Sequence, residues 1–177
     1  METILKLKKI FRQGYLPNRG KEQYSFVSNT ANVTNCFEHA CFNLTNEQLK
    51  DFNENDLKNF FALPVLANVD LSREEMFDAV KKEISKTGLK VKKTAENLKE
   101  NEWNVAMYFS NYDIDVHFLL QEKNGGWSGK FGQSQKTDHY SFLPLKLVGA
   151  LTDYKLYKVF TIENPYLSKE NKEEKTR

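Results

Sequence analysis

Two residues far apart in the chain have the types needed for nucleophilic chemistry. They are Cys36, in Thr34-Asn35-Cys36-Phe37-Glu38-His39-Ala40-Cys41, and His117, in Asp113-Ile114-Asp115-Val116-His117-Phe118. A thiol of ordinary pKa is only slightly ionised at neutral pH, so a cysteine that attacks a carbonyl carbon needs a base beside it or a helix N-terminus behind it. The sequence offers Cys36 both. Thr34 and Asn35 are helix-capping types, and Phe37, Ala40, Cys41 and Leu44 fall on one helical stripe. The sulfur is therefore expected in a first helical turn, where unpaired N–H groups and the helix dipole favour a thiolate. His117 would be the base, provided that folding closes the distance.

The elements that must do this can be followed along the chain. Residues 1–34 begin with near-alternation at Ile4, Leu5, Leu7 and Ile10, which predicts a short strand or a packing arm, and then turn at Leu16-Pro17-Asn18-Arg19-Gly20. Residues 28–35 are rich in Ser, Asn and Thr, which bond to their own backbone and form loops. After the cysteine segment, Thr45-Asn46-Glu47-Gln48 is a capping box for a second short helix. Leu57, Phe60 and Phe61 continue a helical pattern up to Leu63-Pro64. Ser72-Arg73-Glu74-Glu75 caps a clearer helix with the stripe Met76, Phe77, Val80 and Ile84, closed by Thr87-Gly88.

From Leu89 the period becomes extended. Trp103 to Phe109 is rich in strand formers, and Val116 to Glu122 with Trp127 to Phe131 reads as a hairpin turning at Lys123-Asn124-Gly125-Gly126. Tyr140 to Phe142 and Leu156 to Ile162 extend the sheet. Helices first and antiparallel strands second predict an α+β fold. Cys36 then belongs to the helical half and His117 to the sheet half.

Composition sets the bounds. The chain has 177 residues, 40% hydrophobic and 13% aromatic, which fits a single domain over 1–167 followed by a charged, disordered tail at 168–177. Lys plus Arg number 26 against 24 for Asp plus Glu, so the net charge of +2 gives no broad footprint for nucleic acid or an anionic membrane. The clusters Lys6/Lys8/Lys9, Lys81/Lys82 and Lys90/Lys92/Lys93 read as solvated faces. No stretch is apolar enough for a signal peptide or a membrane span, which predicts a cytoplasmic protein. Cys36 and Cys41 lie five apart on one helix, where a disulfide has poor geometry, so two free thiols in a reducing compartment are expected. His39 sits between them without a zinc spacing, so no metal or other cofactor is expected.

The motifs resemble the papain-like cysteine peptidases, in which a nucleophile cysteine opens a helix and a histidine follows downstream on a strand. More narrowly, they resemble a microbial branch with Asn-Cys-Tyr-x-x-Ala, then Asp-x-His-Phe/Trp, then Trp-Ser-His-Lys-x-Gly. The counterparts here are Asn35-Cys36-Phe37-Glu38-His39-Ala40, Asp115-Val116-His117-Phe118 and Trp127-Ser128-Gly129-Lys130-Phe131-Gly132, so the resemblance spans Asn35 to Asp138. Phe37 replaces the tyrosine, and Gly129 replaces the histidine of the hairpin motif. The resemblance implies a papain-like architecture, an N-terminal helical half carrying the nucleophile helix against a C-terminal antiparallel sheet. It also implies a Cys36–His117 dyad.

A third, orienting group is sought from hairpin geometry. Gln133 would lie across from His117 and could accept from the imidazole N–H, with Asp138 as runner-up. The oxyanion hole would use the Cys36 N–H and the side chain of Asn29, Asn32 or Asn35. Cys41 reads as core, His139 as surface, and Trp127 as packing for the hairpin. His39, three residues after Cys36, is near enough to touch it, yet a pair so local rarely aligns for proton transfer.

The resulting expectation is a thiol-dependent hydrolase of peptide, isopeptide or amide bonds, acting on a protein or peptide. The alternative is an inactive papain-like binding module, such as a mobile-element inhibitor or effector that binds a protein partner.

Overall fold

The computed structural model describes residues 2–17, 19, 35–52, 71–111, 115–130, 137–149 and 152–167. The helices among them are α1 (Glu2–Arg12), α2 (Cys36–Cys41), α3 (Asn46–Leu49) and α4 (Arg73–Lys86). The strands are β1 (Lys90–Lys93), β2 (Glu102–Ser110), β3 (Val116–Gln121), β4 (Trp127–Lys130), β5 (Thr137–Tyr140), β6 (Lys146–Val148) and β7 (Asp153–Glu163). A 3₁₀ turn at Pro165–Leu167 follows β7.

All strands join one seven-stranded sheet in the order β1-β7-β2-β3-β4-β5, with β6 pairing β7 off that path. Every pairing is antiparallel. The 11-residue β7, last in the chain, enters between β1 and β2. β2 (EWNVAMYFS) is buried at all nine positions, so it needs a hydrogen-bonding neighbour on both edges, and β3 and β7 supply them.

This overturns the expected papain-like division into a helical half and a sheet half. The body is the antiparallel sheet, and the described helices are few and short. Capping boxes announce where helices start, not how far they run. α2 has six residues and α3 has four, and only α4, at 14, is long. α2 stops because the Glu38 carbonyl takes both Phe42 N–H (2.9 Å) and Asn43 N–H (2.7 Å), and Asn43 turns left-handed at φ 44°.

The N-terminal segment also differs from the strand or arm expected there. It is a helix, with Thr3, Leu7 and Phe11 buried one turn apart. β6 has no counterpart in the sequence reading. Residues 20–34, 53–70, 131–136 and 168–177, which include much of the predicted loop, the second helix pattern, Gln133 and the charged tail, lie outside the described residues.

The sheet has two apolar faces. Trp103, Val105, Met107, Phe109, Val116, Phe118, Leu120, Phe160 and Ile162 point to one, where α1, α2 and α4 cover them with Leu7, Phe11, Phe37, Cys41, Phe77 and Val80. Ala106, Tyr108, Leu119, Trp127 and Tyr154 point to the other, capped by Leu147 and Leu143 from the stretch after β5. Tyr108 Oη donates to the Pro144 carbonyl at 2.8 Å and ties that stretch down.

α4 starts as its sequence specifies. Ser72 Oγ accepts from Glu75 N–H while the Glu75 carboxylate accepts from Ser72 N–H at 2.8 Å. Ser72→Ala should lower stability by about 1 kcal/mol, read as a shifted urea midpoint, because the Glu75 N–H loses its acceptor, Ser72 Oγ.

Candidate functional site

The site begins at the N-terminus of α2. Asn35 is extended (φ −131°), and its Oδ1 accepts from Phe37 N–H at 3.0 Å and Glu38 N–H at 3.1 Å. Cys36 is therefore the first residue of a capped helix. Its thiol lies against β3 and donates to the Val116 carbonyl at 3.9 Å. Among the described residues β3 pairs with β4 over Leu119 to Gln121 and with β2 from Val116 onward. α2 lies against both strands, Cys36 at Val116 of β3 and His39 at Ser128 of β4.

Opposing influences act on that sulfur. Cys36 as a residue keeps some exposure, but its thiol is desolvated, and burial pushes it up to about 12. Backbone N–H groups of Phe118, Phe37 and Cys36 itself favour the thiolate, while the charge of Asp115 opposes it. At neutral pH the group is a thiol.

His117 is next to Val116 on the same strand and is 2% exposed. Alternation along β3 puts it on the face of Leu119, across from Tyr108, with its ring centroid 5.6 Å from that of Tyr154. Burial holds the imidazole down to about 4, so it is neutral at physiological pH. Folding thus brings Cys36 to the strand that carries His117, one residue away from it. The two side chains approach from different faces, Cys36 packing with the helix-side cluster and the imidazole with Tyr154.

The other expected participants separate. Gln133, Asn29 and Asn32 lie outside the described residues. Asp138 is on β5, opposite Gly129. Asn35 uses Oδ1 as the helix cap. His39 turns to β4, with Nε2 3.2 Å from Ser128 Oγ, and burial and the Lys130 charge hold it down to about 3. Cys41 is fully buried. His139 is exposed, as expected, and its Nδ1 pairs with the buried Glu122 carboxylate.

Sequence reasoning missed several polar residues that surround the thiol. Tyr154 Oη donates to Asp115 Oδ2 at 2.6 Å, and Val116 N–H donates to Asp115 Oδ1 at 2.8 Å. Glu38 is 2% exposed and accepts from Leu44 N–H at 2.7 Å, and burial raises its carboxyl to about 7. Lys130, also 2% exposed, faces both Glu38 and Cys36. The strand Trp127–Lys130, expected as the returning arm of a hairpin, is buried at every position. Its proximity to α2 comes from long-range packing that no local pattern carries.

Gly129 explains how the imidazole fits. A Cβ there would lie 2.2 Å from Leu119 Cδ2 and 3.2 Å from His117 Nε2. Gly129→Ala should therefore cost about 1–3 kcal/mol by overpacking, seen as a lower thermal midpoint, unless Leu119 changes rotamer.

Among the described residues no group of three or more His, Cys, Asp or Glu side chains could hold a metal ion. No described helix is long and apolar enough to cross a membrane.

A domain built on one antiparallel sheet, with a cysteine that opens an Asn-capped helix against a strand, is the class that these observations define. The model of the family described as a domain of unknown function (DUF7689) matches residues 25–154, a span that holds Cys36, Asp115, His117, Ser128, Lys130 and Tyr154. The chain belongs to that family. Comparison with curated proteins found no match, and neither did comparison with solved structures.

Proposed function

We propose that the protein is a thiol-dependent hydrolase of peptide, isopeptide or amide bonds, with Cys36 as nucleophile and His117 as base. The observation that carries this reading is the position of Cys36, first in an Asn-capped helix and 3.9 Å from the carbonyl of Val116, the residue before His117. The resemblance to papain-like peptidases in the segments around both residues adds to it and concerns the chemistry alone.

With a neutral thiol and a neutral imidazole at rest, the proton moves during attack, not before it. The sulfur adds to the carbonyl carbon as His117, its ring turned from the Tyr154 face toward Cys36, takes the thiol proton, and the Cys36 N–H faces the developing oxyanion. Collapse of the tetrahedral adduct expels the amine, which takes the proton back from His117. Water then attacks the thioester, with His117 as base, and releases the acid and the free thiol. The substrate class is a protein or peptide. Two free cysteines suit a reducing compartment such as the cytoplasm.

A second reading, a binding module without catalysis, is favoured by the desolvated sulfur and by the placement of the ring with Tyr154. Labelling with iodoacetamide, with the modified cysteine mapped by mass spectrometry, separates the two. The hydrolase reading expects Cys36 to be labelled in preference to Cys41, with at least a tenfold loss of rate in His117→Ala. Equal, slow labelling of both cysteines, unaffected by His117→Ala, would favour the binding module.

A further inference from the structure

We infer that Asp115 and Tyr154 are further positioning residues of this site, placed so that the carboxylate opposes ionisation of Cys36 and the tyrosine hydroxyl tempers it. The inference rests on the hydrolase reading and concerns the resting state of the same nucleophile.

The geometry begins at the head of β3. Ser110 N–H donates to the Asp115 carbonyl at 2.9 Å and Asp115 N–H donates to Ser110 Oγ at 3.2 Å, which fixes the backbone where β3 starts. Both carboxylate oxygens are engaged as well, Oδ1 by Val116 N–H at 2.8 Å and Oδ2 by Tyr154 Oη at 2.6 Å. The carboxylate therefore cannot swing away from the strand end. The thiol of Cys36 reaches the carbonyl of the very next residue, Val116. A thiolate there would be a second negative charge close to a fixed first one.

Tyr154 joins the two halves of the site. Its ring packs against that of His117, and its hydroxyl donates to Asp115. Burial, then its hydrogen bond to Asp115 and the charges of Asp115 and Cys36, holds the phenol well above its ordinary value, so it stays a donor at all physiological pH. The charged and titratable groups that act on the sulfur are Cys41 on α2, Asp115 just before β3, Lys130 on β4 and Tyr154 on β7, while His117 on β3 turns to the other face. Of these, Lys130 favours the thiolate, whereas Asp115 opposes it.

The test is the pH dependence of iodoacetamide alkylation of the full-length chain, with Cys36 and Cys41 quantified separately. Asp115→Asn keeps an acceptor for Val116 N–H and a polar partner for Tyr154 while removing the charge. It should raise the Cys36 rate at pH 8 by about three- to tenfold, since a tenfold change matches one unit of thiol pKa. Tyr154→Phe leaves the carboxylate without its donor and should lower that rate about twofold. The double variant should return to the Asp115→Asn value. Cys41 serves as the structural control and should not change.

An unaltered Cys36 profile in Asp115→Asn, or equal acceleration of Cys36 and Cys41, overturns the inference. A rise in Tyr154→Phe overturns the role of the tyrosine. These outcomes are independent of the hydrolase test, which is read from His117→Ala: a shifted profile in Asp115→Asn with no response to His117→Ala keeps this inference and removes the catalytic one.

Discussion

Phe118→Ala should destabilise the protein by about 3–5 kcal/mol and at the same time abolish the selective positioning of Cys36. Phe118 is fully buried at the middle of β3, and its ring meets that of Phe37 edge-on at 5.5 Å. Phe37 in turn meets Phe42 at 5.5 Å, and Phe42 meets Phe11 of α1 at 5.9 Å. A chain of aromatic rings thus runs from the sheet through α2 to α1. At six residues, α2 is far below the ~12–15 at which an isolated helix persists, so its place is set by this packing and not by propensity.

Removing Phe118 takes away the ring on which α2 rests. Urea denaturation reads the loss of stability, and alkylation reads the loss of position, with Cys36 and Cys41 becoming reactive together. A double-mutant cycle with Phe37→Ala should give a coupling of about 0.5–1.5 kcal/mol. A cost below 1 kcal/mol for Phe118→Ala would mean that α2 is held by something other than this stack.

The local parts of this arrangement can be read in the sequence, and the long-range parts cannot. α4 is legible because its signals agree: Ser72 and Glu75 form the box, Met76, Phe77, Val80 and Ile84 share a face, and Gly88 follows at φ 91°. The first turn of α2 is legible from Asn35, and the β3–β4 hairpin from Asn124-Gly125 between two runs of strand formers, with Gly125 at φ 86°. α1 is misread because Ile4, Leu5 and Leu7 imitate alternation. Its buried stripe starts at a threonine, Thr3, which an apolar count passes over.

The failure at the level of the fold has a different cause. Nothing local tells β7 to enter between β1 and β2, where Lys90 pairs with Glu163 and Trp103 with Ile162. Without that insertion the strands of the second half look like a modest sheet beside a helical half. With it, the sheet becomes the body of the molecule. At the candidate site, the period of two along Val116-His117-Phe118-Leu119-Leu120 does predict that His117 and Leu119 share the face opposite Phe118. It does not predict which face α2 covers, because that depends on Phe37 and Phe118 meeting across 80 residues of chain. Lys130 and Glu38 are out of reach for the same reason: a charged side chain carries no local mark of burial, yet both are 2% exposed once the chain has folded.

Acidification should unfold the protein through its two buried imidazoles. In the folded chain His39 titrates at about 3 and His117 at about 4, against an ordinary value near 6.5 once unfolded. Both values are depressed, so above pH 6.5 neither state binds the protons and stability does not depend on these groups. Between pH 6.5 and 4 the unfolded chain takes up protons that the folded chain refuses, and stability falls with pH. His117 alone accounts for a loss on the order of 3 kcal/mol by pH 4, and His39 for at least as much, a large share of the ~5–15 kcal/mol that holds a domain together.

Glu38 acts in the opposite direction. Its folded value of about 7 lies above the ordinary 4.5, so its contribution is present at low pH and lost as pH rises through 7. It offsets one histidine between pH 6.5 and 4.5 and nothing below. The wild-type urea midpoint should therefore decline gently to pH 4.5 and steeply beneath it. His39→Gln, which keeps a polar partner for Ser128 Oγ, should flatten both limbs, while Glu38→Gln should steepen the upper one. Midpoints that track together across pH 4–7 in wild type, His39→Gln and Glu38→Gln would show that these groups are open to water, and the seam between α2 and β4 would then be wet instead of packed.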